Sequence, residues 1–213
     1  MITDDKDPDT HDQAADGRLC LDFTNTVNNY RAEAPRDRLS SYTELVRWAR
    51  EVKILSAAEA ERLLEKAASD PQAAAAVLKL AKDLRATIYR VFSAIVRSRE
   101  PAVADMARLN KAMAKVLPHM QLERHSDGFR WGWQGAVGVL DAPLWPVIRS
   151  AAELLTSGDV NRTSECNGNN CTWLFIDHSK NHSRRWCDMG VCGNREKSRR
   201  HYARKRSTGS TVT

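Results

Sequence analysis

The sequence predicts a mixed α+β protein: a helix-rich body carrying one β-hairpin, followed by a small module held by cysteines. Three observations carry that prediction. Apolar residues recur at three- and four-residue intervals through much of 40–155, as helices with one buried face require. Around Ser126-Asp127-Gly128 the pattern changes to alternation, as paired strands require. Four of the five cysteines fall in two equal pairs, Cys166-x4-Cys171 and Cys187-x4-Cys192, with fifteen residues between them.

Residues 1–17 hold six aspartates and one lysine with almost no apolar content, so they read as a disordered acidic lead. Arg18 to Val27 alternates Leu19, Leu21 and Phe23 with other residues and reads as a strand entering a loop or helix start. Beside it stand Asp22, Asn25, Thr26 and Asn28. They read either as a small-ligand pocket or as caps and turn residues satisfying their own backbone. Cys20, alone among apolar neighbours, reads as a small buried hydrophobe.

A helix is predicted from Ser40, with Leu45, Trp48, Ala49 and Val52 on its inner face, broken at Lys53-Ile54-Leu55. Ser56-Ala57-Ala58-Glu59 has capping-box spacing and opens a second helix. Asp70-Pro71 starts a long third helix, 72–99, whose stripe includes Leu80, Leu84, Ile88, Val91 and Phe92. Pro101 separates it from a fourth containing Leu109, Met113 and Val116. His119 to Glu123 and Phe129 to Trp133 form the hairpin, with Trp131 and Trp133 on one face, where packing on a helix is their commoner use. Asp141-Ala142-Pro143 begins the last body helix. His119 and His125 read as surface or strand-edge residues, and no internal repeat or catalytic fingerprint is visible, so no enzyme is predicted.

Charge is concentrated at one end. The 213 residues carry +6 in total, but 178–206 alone hold ten Lys/Arg against Asp188 and Glu196, so a nearly neutral body joins a strongly basic end. Nothing near Met1 resembles a signal peptide and no apolar run is long enough to span a bilayer, so a cytoplasmic protein without membrane contact is expected. Thiols stay reduced there, which favours metal over disulfide for the paired cysteines.

Zinc in a structural site takes four thiolate or imidazole ligands from two short chelating loops. Cys166, Cys171, Cys187 and Cys192 complete such a shell for one ion, leaving His178 and His182 as loop residues. The glycine and asparagines of Cys166-Asn167-Gly168-Asn169-Asn170-Cys171 suit a turn with left-handed backbone. Between the pairs, Trp173 to Asp177 reads as a strand and Arg184 to Cys187 as its returning partner, with Trp173, Phe175 and Trp186 over the site. A helix capped by Asn194 follows the last ligand, the order of a treble-clef-like finger. The basic residues Arg184, Arg185, Arg195, Lys197, Arg199, Arg200, Arg204, Lys205 and Arg206 point to phosphate neutralisation, with an acidic protein partner as the competing reading.

The run Arg184-Arg185-Trp186-Cys187-Asp188-Met189-Gly190-Val191-Cys192-Gly193-Asn194-Arg195 resembles the bacterial CGNR zinc-finger family. Both cysteine pairs, Trp173-x-Phe175-x-Asp177, Asn181 and Lys197 share in that likeness. Leu19 to Thr26 resembles the opening of the ABATE-type domain that such proteins carry. The resemblance implies a stress-induced transcription regulator. The expected organisation is an ABATE-type domain at 18–160, able to sense a small-molecule effector or form a homodimer, a DNA-binding finger at 161–206, and a disordered tail at 207–213. An adaptor docking an acidic partner is the alternative, and an enzyme built on Asp22, Asn25 and Asn28 a third.

Overall fold

Arg18–Thr24 is a helix, α1, where alternation suggested a strand. The reason is burial around most of its circumference. Leu19, Cys20 and Phe23 are fully buried and Leu21 nearly so, because α1 is packed by two longer helices and a strand of the cysteine module. A helix with so narrow a wet face leaves no clear amphipathic stripe in its sequence. Burial also pushes the Cys20 thiol up to about 12, which makes it the inert hydrophobe its neighbours implied.

The protein is described here from a computed structural model covering residues 18–126 and 128–208. The side chains of Arg18, Arg204 and 206–208 lie outside that description, as do the acidic lead at 1–17 and 209–213. Three of the other body helices begin at side-chain caps. In α2 (Tyr42–Glu51) the Ser41 hydroxyl accepts from the Glu44 amide at 3.2 Å. Ser56 and Glu59 form the reciprocal box at the start of α3 (Ala57–Ser69). Asp70 accepts from the Ala73 amide at 2.9 Å at the start of α4 (Pro71–Val96). α5 spans Val103–Val116 and α6 spans Trp145–Thr156, the latter entered through a single 3-10 turn at Ala142–Leu144. Between them, β1 (Met120–His125) and β2 (Gly128–Trp133) pair antiparallel with Leu122 opposite Trp131. Gly128, at φ +141°, supplies a backbone that a side chain would strain. Trp133 meets Trp145 of α6 edge to face at 5.9 Å and packs on the helix, whereas Trp131 stays about half exposed with Arg149 of the same helix 5.8 Å over its ring.

The second sheet departs from expectation. β4 (Leu174–Ile176) pairs antiparallel with β3 (Thr163–Glu165), ahead of the first cysteine, and Arg184 to Cys187 is not a strand. Successive side chains on a strand face opposite ways. Leu174 and Ile176 enter the main core, with α1 and α4, while Phe175 faces the cysteines. One three-residue strand thereby serves two cores, and β3 pairs with it because its other edge lies against the segment after α1.

Candidate metal centre and basic helix

The four cysteine sulfurs lie within 4.8 Å of one another. Cys187 Sγ sits 3.8 Å from Cys171 Sγ and 3.7 Å from Cys192 Sγ. A tetrahedron of sulfurs at zinc–thiolate bond length has an edge of about 3.8 Å, so the donor set matches one zinc ion in both chemistry and size. Cys166, Cys171 and Cys192 are buried and Cys187 is half-buried. Bonds from Cys171 and Cys187 hold Cys166 well below the ordinary thiol range, and the bond to Cys166 pushes Cys171 and Cys187 above it. A divalent cation among the four sulfurs would stabilise them as thiolates by its own charge.

The first loop turns at Gly168, whose carbonyl accepts from the Cys171 amide at 3.2 Å. Its φ is not left-handed, contrary to the expectation for this loop, and neither are those of the asparagines around it. What favours glycine is proximity. A Cβ at Gly168 would stand 3.3 Å from Cys171 Cβ and 3.4 Å from the sulfurs of Cys166 and Cys192. The Asn167 amide bonds the Arg185 carbonyl at 2.9 Å and ties the two loops together. Phe175, Trp173 and Trp186 pack against the cysteines as expected.

The helix α7 (Asn194–Thr208) is entered through one wide, π-type turn at Met189–Gly193 that includes Cys192. Its cap is Asp188, whose carboxylate accepts from the Val191 amide at 2.6 Å, and not Asn194, whose side chain donates back to the Gly190 carbonyl at 3.0 Å. An aspartate three residues ahead of Val191 was the signal for this start. Along α7, Glu196 is buried and accepts from Arg199 at 2.9 and 3.0 Å and from Arg200 at 3.2 Å. The bond from Arg199 holds its carboxyl below the usual range. Arg195, Lys197 and Lys205 are exposed. The side chains of Arg204 and Arg206 lie outside the described residues.

The two arginines before the second loop differ. Arg184 lies 4.6 Å over the Phe175 ring and donates to the carbonyls of Trp186 and Cys187, bracing that loop. Arg185 is exposed, with its guanidinium 5.6 Å from the Trp186 ring.

The polar cluster after α1 faces the same module. Asn25 donates to the Leu174 carbonyl and accepts from the Leu174 amide, both at 2.9 Å, so its amide pairs with the free edge of β4. The Asn28 carbonyl accepts from the Thr172 amide at 3.4 Å and its side chain from the Arg36 amide at 2.8 Å. Thr26 accepts from Arg85, which grips Asp37 with two bonds of 2.7 and 2.8 Å. Asp22 is half-buried on α1. The Trp173 indole donates to the Val27 carbonyl at 2.9 Å, and Glu165 pairs with Arg31 and, at 2.9 Å, with Arg97. No pattern in the sequence signals that Glu165 is bound by two arginines, because both partners are remote along the chain. Replacing Asn25 by alanine is expected to leave both polar groups of Leu174 unpaired and cost about 1–3 kcal/mol. Denaturant unfolding would measure it, with faster zinc release as the accompanying sign.

Residues 17–158 match the ABATE family, described as "putative stress-induced transcription regulator", and residues 162–205 match the CGNR zinc finger. Neither is an enzyme family. No curated protein matches the chain.

Proposed function

The chain belongs to the ABATE family and ends in a CGNR zinc finger that holds one structural zinc ion, and from that premise we propose that it is a DNA-binding transcription regulator. Cys166, Cys171, Cys187 and Cys192 are the zinc ligands in this reading. With four protein ligands the ion has no open position for water or substrate, so it holds shape. The single observation that carries the reading is the placing of α7. It grows directly from the ligand Cys192, and its described contacts are chiefly with the turn that leads into it. A cationic helix held chiefly at its first turn suits a phosphate backbone or a groove. Arg195, Lys197, Lys205 and Arg185 make the first contacts, while Arg199 and Arg200 are partly neutralised by Glu196. The regulator acts in the cytoplasm. No described helix is long and apolar enough to cross a membrane.

Selection from random-sequence DNA with the zinc-loaded chain tests this. Bound duplex with affinity falling steeply as salt rises is expected, and Arg195→Glu/Lys197→Glu should weaken it about tenfold or more at about 0.1 M salt. DNA affinity unchanged in that variant would remove α7 from the interface. Retention of an acidic polypeptide with no affinity for DNA would establish the adaptor reading instead.

A further inference from the structure

Between α4, α5 and α6 the body holds a cavity of about 610 Å³, and no residue lining it belongs to the zinc finger. Its size falls within the roughly 300–1,000 Å³ of small-molecule sites. The floor is apolar: Leu84, Val116, Leu144, Trp145 and Ile148, each buried in the body. The Trp145 indole is fixed in place, stacked by His119 at 4.3 Å and met edge-on by Trp133.

The mouth is cationic. Arg108, Lys111 and Lys115 of α5 fall at three- and four-residue spacing on one side, and Arg90 of α4 joins them. Buried Asp105 accepts from Arg90 at 2.7 and 2.9 Å and from Arg108 at 3.1 Å, so one carboxylate holds two guanidiniums at the rim and leaves a surplus of positive charge. Two other acids line the cavity. Asp83 is paired with Lys79 at 2.7 Å, and Asp141 stands beside Leu144. An apolar chamber under a mouth of four cations against Asp105, Asp83 and Asp141, with Asp83 also met by Lys79, keeps a net positive charge and selects a ligand with an apolar body and one negative head.

We propose that this cavity binds an amphipathic organic monocarboxylate. Its head sits among Arg108, Lys111 and Lys115, and its body lies against Trp145 and Ile148. The inference rests on the cavity alone, so its failure would leave the DNA reading standing.

The test uses the full zinc-loaded chain and 8-anilinonaphthalene-1-sulfonate, an apolar anion whose fluorescence rises on burial. One saturable site is expected, from which decanoate and 2-naphthoate displace the probe and decanol does so at least about tenfold less well. Preference between the two acids tells an aliphatic ligand from an aromatic one. Lys111→Glu/Lys115→Glu should lower probe affinity about tenfold or more, as should Ala112→Phe, which fills the chamber. Arg195→Glu/Lys197→Glu should leave it unchanged. The lysine pair is exposed, so that variant stays readable if the filled one fails to fold. Wild-type affinity in either folded cavity variant, displacement by decanol equal to that by decanoate, or loss in the α7 variant would overturn the proposal.

Discussion

Removal of zinc, by a strong chelator or by Cys171→Ser, is expected to unfold the finger and loosen the body as well. In isolated zinc-finger peptides the metal is worth about 10–16 kcal/mol of apparent folding free energy, and no other feature of this module approaches that. Among the described residues, the apolar cluster around the cysteines contains only Phe175, Trp173 and Trp186 besides the cysteines themselves. A core so small does not offset the entropy of ordering the loops. The effect reaches further because the knuckle is tied to the segment after α1 by Asn25, the Asn28 and Val27 carbonyls and the Tyr30 amide. Amide hydrogen exchange before and after chelation checks this. Protection should vanish across α7 and the loops and fall at residues 25–30, while α4 stays protected. Protection of α7 unchanged by chelation would refute the metal's role.

The second large effect separates the two faces of β4. Leu174→Ala is expected to cost about 2–5 kcal/mol of global stability, since Leu174 is 1 % exposed and part of the main core. Phe175→Ala should act differently. It removes the ring that covers the cysteines and lies under Arg184, so zinc should be released faster while the body's unfolding midpoint moves less. Thermal unfolding and zinc-release kinetics on the same two variants decide it. Equal effects of both on both measurements would mean that β4 does not divide its faces between two cores.

Much of this protein is legible in its sequence because much of its specification is local. Ser56 with Glu59, and Asp70 with Ala73 just past Pro71, set helix starts through bonds spanning three residues. The stripe through Leu84, Ile88 and Phe92 declares α4 because that helix has one wet face. The four cysteines announce a metal site by spacing, since chelation needs two short loops.

What only the tertiary structure decided is set by partners far apart in sequence. Whether 18–24 is helix or strand turned on its burial around most of its circumference, which blurs periodicity. Strand pairing is non-local, so nothing near β4 says that it joins β3 rather than 184–187. Asn25 reads as a turn residue until Leu174 is brought beside it, 149 positions away. The basic charges of α7 are plain in the sequence. That Glu196 occupies two of them, and that a cation-rimmed cavity opens on the far helices of the body, required side chains placed in space.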